Sequence, residues 1–67
     1  MKQERFDIVA YVNNEQLKVA TAYSKGLAYI IATKLLEVYA QTASMIQVQA
    51  GSRVEYTLFT EKAPVKP

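Results

Sequence analysis

Few residues in this 67-residue chain could carry chemistry. The chain contains no His and no Cys, so Ser/His/Asp triads, Cys/His pairs and zinc sites of the Cys/His type are excluded. A carboxylate pair for general acid–base catalysis needs two acids that are held close together with different pKa values. Asp7 and Glu55 are the candidates on predicted strands, but both alternate toward solvent. The sequence therefore predicts no catalytic, cofactor-binding or metal site, and no enzyme.

The charge and hydropathy of the chain limit its partners. The net charge is +2, from eight Lys and Arg against six Asp and Glu, which is too weak a bias to predict nucleic-acid binding. The longest apolar tract, GLAYIIATKLLEVYA, contains Lys34 and Glu37 and is too short to span a bilayer. No apolar signal region follows the charged start MKQERF. We expect a cytoplasmic protein with no membrane contact, no cofactor and no small-molecule substrate.

Two apolar runs with a period of two predict a β-hairpin near the start of the chain. The first run spans residues 5–12 and the second spans residues 17–23. Asn tolerates the positive φ of a tight turn, so the Asn pair between the runs indicates where the chain reverses. Two loops remain open: one centred on residues 14 and 15, and a four-residue loop over residues 13–16, which we favour.

The register of this hairpin decides which side chains share a face, because a slip of one residue turns every side chain over. Both loops pair Val12 with Leu17 and Phe6 with Tyr23. The opposite side of the ribbon then carries Val9, Tyr11, Lys18, Ala20 and Ala22, with Tyr11 and Lys18 as a cross-strand pair.

A helix is predicted from Ser24, which is a suitable N-cap, to about Gln41. At 3.6 residues per turn, one arc of this helix is apolar and should face the sheet. The arc contains Ala28, Ile31, Ala32, Leu35, Val38 and Tyr39.

Residues 45–60 alternate again and predict a second hairpin. A three-residue loop over residues 50–52 pairs Val48 with Val54. The alternative is one long strand that a bulge bends at Gly51, but such a strand exceeds the usual length.

The predicted fold class is α+β: a small antiparallel sheet with one helix packed on one face, in the order ββαββ, or ββαβ with one long bent last strand. Residues 5–61 are predicted to form one domain between a flexible N-terminus, residues 1–4, and a flexible Pro/Lys tail, residues 62–67. This size and order resemble those of small phage-encoded proteins that bind and inhibit host enzymes, including host RNA polymerase. The resemblance is one of layout alone, and it implies an inhibitor or adaptor.

Apolar side chains in excess of what one core needs predict an interaction surface. One helix covers one face of a sheet, and the uncovered face then carries Val9, Tyr11, Lys18, Ala20, Ala22, Arg53 and Phe59. We expect Val9 and Tyr11 to be apolar anchors, with Lys18 and Arg53 as charges at the rim. The sequence thus predicts a non-enzymatic module that forms a homodimer or binds and modulates another protein. The alternative is weak nucleic-acid binding through the same aromatic and basic face.

Overall fold

The computed structural model describes residues 4–61, which fold into four strands and one helix. The predicted α+β class and the order ββαββ are confirmed, and the alternative with one long last strand is wrong. The predicted tail over residues 62–67, and residues 1–3 of the predicted N-terminus, lie outside the described residues. The elements are β1 (Phe6–Val12), β2 (Glu15–Ala22), α1 (Lys25–Val38), β3 (Met45–Ala50) and β4 (Arg53–Phe59).

The strands form one antiparallel sheet in the order β2-β1-β3-β4, so β1 and β3 are its central strands. Across these two strands, Ile8 lies opposite Val48 and Ala10 lies opposite Ile46. We call the side of the sheet that carries these residues the core face, because they share one buried cluster with residues of α1. The cluster contains Phe6, Ile8, Ala10, Ala22, Ala28, Ala32, Ala43, Ile46, Val48 and Ala50.

The start of α1 agrees with the prediction. Ser24 has an extended backbone, with φ −141° and ψ 147°, and its Oγ accepts a hydrogen bond of 3.0 Å from the backbone N–H of Leu27. This N-cap satisfies one of the amide groups that the first helical turn leaves without a partner. The helix ends at Val38, earlier than predicted, and Tyr39 is its C-cap.

The first hairpin turns at Asn13 and Asn14, so both predicted loops are wrong. The two residues have φ of 53° and 67°, and a two-residue type I′ turn requires positive φ at both positions. Val12 consequently pairs with Glu15 and not with Leu17.

A β-bulge then changes which side of the sheet the rest of β2 faces. Lys18 and Ala20 pair with neighbouring residues of β1, so Val19 is an extra residue in β2. Because an inserted residue shifts a period-two pattern by one, Ala20 and Ala22 share the side of Ile8.

The second hairpin has the two-residue loop Gly51-Ser52, and not the predicted three-residue loop. Gly51 has φ of 63°, a conformation that glycine adopts without strain. Val54 and Tyr56 pair with neighbouring residues of β3, so Glu55 is the extra residue of a second bulge. Val54 therefore lies on the side of the sheet away from the core face.

Candidate interaction surfaces

The side of the sheet away from the core face, which we call the open face, carries a hydrogen-bonded network. Gln47 is its centre: the Oε1 accepts from the Tyr11 hydroxyl at 3.2 Å and from the Gln49 Nε2 at 2.9 Å. The Gln47 Nε2 donates to the Thr57 Oγ1 at 3.3 Å. The middle of this face is thus polar, where the sequence predicts an apolar interaction surface. The open face consists of Asp7, Val9, Tyr11, Gln16, Lys18, Thr21, Met45, Gln47, Gln49, Val54, Thr57 and Phe59.

A second polar group on the open face surrounds Asp7. Its carboxylate lies 3.4 Å from the Arg5 Nε and 3.6 Å from the Lys18 Nζ. The same carboxylate accepts a hydrogen bond of 3.4 Å from the Thr21 hydroxyl. Lys18 is therefore on the predicted face, but its charge is paired within the chain.

Val9 lies on the open face as predicted, but it is not an exposed anchor. Only 4% of its surface is accessible to solvent, although it lies outside the core cluster. Its cross-strand neighbours are Lys18 and Gln47, whose long side chains can extend over it. The alternation of β1 predicts the side on which Val9 lies, but it does not predict what covers it.

Ala20 and Ala22 do not lie on the open face, so this prediction is wrong. Ala22 belongs to the buried core cluster, and Ala20 packs against that cluster. The physical reason is the bulge at Val19, which moves both alanines to the core face. Ala22 is therefore not available to a partner in the folded chain, and Ala20 is half-buried on the core face.

Arg53 pairs with Ala50, a residue of the core cluster, so its predicted place on the open face is also wrong. Its guanidinium is held by two carboxylates, because Nη2 lies 2.6 Å from the Glu4 Oε2 and Nε donates to Glu55. Glu55 also lies 3.2 Å from the Lys25 Nζ at the start of α1. The hydrogen bond from Arg53, and then that from Lys25, lowers the pKa of the Glu55 carboxyl.

Tyr11, Met45 and Phe59 lie side by side across β1, β3 and β4. The predicted placement of Tyr11 and Phe59 on one face is therefore confirmed. The partner of Tyr11 in β2 is Gln16, so the predicted cross-strand pair with Lys18 is wrong.

Three exposed apolar side chains of α1, which we call the helix stripe, do not belong to the predicted interaction surface. They are Leu27, Ile30 and Val38, and Val38, whose spacing predicts burial, is 70% exposed. At 3.6 residues per turn the three positions lie within an arc of roughly 80°. Ile30 falls between Lys34 and Glu37 on the helical wheel. In the sequence, these polar neighbours indicate that this side of the helix is exposed.

A groove lies between the end of α1 and the end of β4, and we call it the C-terminal groove. Its volume is about 430 Å³. Phe59, the most prominent apolar residue of its lining, is 67% exposed. The lining residues are Leu36, Glu37, Ala40, Phe59, Thr60 and Glu61. The groove thus combines apolar side chains with two carboxylates, and the sequence predicted only Phe59 among them.

Comparison of the chain with protein-family models, with curated proteins and with solved structures found no match. Among residues 4–61, no three acidic side chains are grouped so that they could hold a metal ion. No helix in this part of the chain is long and apolar enough to cross a membrane. The helix stripe, the open face and the C-terminal groove are therefore the features from which a function can be argued.

Proposed function

We propose that this chain is a non-enzymatic protein-interaction module, which uses the helix stripe to associate with a second copy or with another protein. The exposure of Leu27, Ile30 and Val38 on one side of α1 supports this proposal. Leu27 and Ile30 are neighbours on this side, and Val38 lies about two turns further along it, beyond Lys34. Single exposed apolar side chains are common, but several on one side of a helix are typical of contact surfaces. Such a side fits a groove on a partner, or the same helix of a second copy.

The small size of the domain adds to this argument. A folded domain of fewer than 70 residues buries a modest share of its apolar surface and is marginally stable. An interface that forms only in the folded state raises the free energy of unfolding by mass action. Association therefore provides stability that disulfides cannot supply in a chain without Cys.

The non-enzymatic part of the proposal rests on the acidic residues as well as on the lack of His and Cys. Asp7 lies on β1 and Glu55 on β4, which are not neighbouring strands, so the two do not form a carboxylate pair. Glu55 is also held in ion pairs with Arg53 and Lys25. We propose a cytoplasmic inhibitor or adaptor of the phage or mobile-element type, in which binding alone modulates the partner.

The test is the solution mass of the full chain over a concentration series, together with recovery of bound proteins from the source cell. Leu27→Gln and Leu17→Gln form a matched pair, because the two leucines are 49% and 44% exposed but only Leu27 belongs to the helix stripe. We expect Leu27→Gln to weaken association by about tenfold and Leu17→Gln to leave it unchanged. Equal mass and equal partner recovery for the wild type and both variants would overturn the proposal.

The alternative proposal is weak binding of single-stranded nucleic acid by the open face. Tyr11 and Phe59 lie on that face, and aromatic side chains of this kind stack on bases. The basic residues expected beside them are already engaged, Lys18 by Asp7 and Arg53 by Glu4. Binding to single-stranded DNA or RNA that weakens steeply with salt would favour this alternative over apolar association.

A further inference from the structure

The C-terminal groove combines exposed apolar surface with negative charge. Its apolar lining comes from Leu36, Ala40 and Phe59, and its carboxylates come from Glu37 and Glu61. Phe59 ends β4, an edge strand of the sheet, where it lies on the open face, is 67% exposed and also lines the groove. An apolar side chain that fills the groove removes part of this apolar lining from water, and burial of apolar surface is the main driving force of protein association.

The two carboxylates of the groove differ from most other acidic residues of the chain. Ion pairs with Arg or Lys hold three carboxylates, namely those of Glu4, Asp7 and Glu55. Within residues 4–61, Glu37 and Glu61 make no ion pair, although Glu61 accepts a hydrogen bond of 3.3 Å from the Gln41 Nε2. A cation that enters the groove therefore meets negative charge that no described cation neutralises, which favours a positively charged ligand.

We propose that the C-terminal groove binds a peptide segment of another protein that carries one large apolar side chain flanked by Lys or Arg. The apolar side chain packs on Phe59 and Leu36, and the flanking cations lie beside Glu37 and Glu61. This inference rests on the proposed function, because it names a partner chemistry for an interaction module. It assigns that chemistry to a surface separate from the helix stripe.

The test titrates the isotope-labelled full chain with synthetic peptides and follows the backbone amide shifts by NMR. The probe is Lys-Lys-Leu-Lys-Lys, and the matched control peptides replace either its Leu by Ser or its four Lys by Glu. We expect the probe to shift the amides of residues 59–61, and both controls to bind at least about tenfold more weakly. Equal binding of the Leu and Ser peptides would reveal a non-specific charge effect and overturn the proposal.

Two conservative variants localise the charge effect. Glu37 and Glu15 are both exposed and neither makes an ion pair with a described residue, but only Glu37 lines the groove. We expect Glu37→Gln to weaken binding of the probe about threefold and Glu15→Gln to leave it unchanged. Equal weakening by the two variants contradicts the assignment of the groove.

The variant Phe59→Ser tests the apolar lining and should weaken binding of the probe about tenfold. Circular dichroism checks that this variant is folded.

Other occupants of the groove give distinguishable results. If a second copy fills it, the chain is a dimer whose mass falls to that of a monomer in Phe59→Ser. If the chain's own cations fill it, the double variant Lys62→Gln, Lys66→Gln binds the probe more tightly than the wild type does. Either result overturns the assignment to a foreign peptide. A groove that binds no probe, in a chain whose association still depends on Leu27, overturns this inference and leaves the proposed function standing.

Discussion

Ala22 lies directly across from Phe6 in the sheet, and both side chains are almost completely buried. This pair depends on the bulge at Val19, because without the inserted residue Ala22 would point to the open face. A residue predicted to contact a partner is consequently part of the core, and its substitution should affect folding before it affects binding.

Enlarging Ala22 should destabilise the fold. We expect Ala22→Leu to lower the free energy of unfolding by about 1–3 kcal/mol, since the added carbon atoms must enter a closely packed core. The control is Gln16→Leu, at an exposed position of the same strand. This variant should change the free energy of unfolding by less than about 0.5 kcal/mol. Urea denaturation followed by circular dichroism measures both values. A stable Ala22→Leu variant would mean that this residue faces solvent.

Val9 and Val54 test whether the open face buries apolar surface without belonging to the core cluster. Both valines lie on that face, but Val9 is 4% exposed and Val54 is 49% exposed. We expect Val9→Ala to cost about 1.5 kcal/mol or more in unfolding free energy, since it removes buried carbon atoms and leaves a cavity. Val54→Ala should cost about 0.5 kcal/mol or less. Equal losses in urea denaturation would show that the polar side chains beside Val9 do not shield it.

The alternation of apolar residues predicted the elements and the faces of β1 and β3. Phe6, Ile8 and Ala10 share one side, as do Ile46 and Val48, because neither strand contains an inserted residue. A strand without an insertion keeps its period of two from end to end. The sequence was therefore sufficient for the fold class and for the central half of the sheet.

The bulges limited what the sequence could predict about the edge strands and the candidate surface. Val19 and Glu55 are the inserted residues, and neither is a Gly or Pro that would mark an irregular position. The faces predicted for Ala20, Ala22 and Arg53 were wrong for this reason. The placement of Tyr11 and Phe59 was correct because both lie in regular parts of their strands, beyond the bulges.

A substitution in the turn of the first hairpin should stabilise the fold. Asn14 has φ of 67°, and glycine adopts this conformation at a lower cost than any residue with a side chain. We expect Asn14→Gly to raise the free energy of unfolding by up to about 1 kcal/mol, and Asn14→Ala to lower it by about 1 kcal/mol or more. Thermal unfolding measures both variants. The same stability for Gly and Ala at this position would exclude a turn with positive φ at residue 14.

Glu55 should make the stability of the fold depend on pH in the acid range. Its pKa is lowered in the folded chain, first by the hydrogen bond from Arg53 and then by that from Lys25. Because the folded pKa lies below the unfolded one, the contribution of Glu55 is complete above the unfolded pKa and is lost as the pH falls through the folded pKa. Glu55→Gln should therefore be less stable than the wild type at neutral pH, and the difference should shrink as the pH is lowered to about 2.5.

Urea denaturation at a series of pH values measures this difference in unfolding free energy. The control is Glu15→Gln, which removes a carboxylate without a described ion pair and so corrects for the change in net charge. A difference that stays constant from neutral to acid pH would mean that the ion pairs of Glu55 do not contribute to folding.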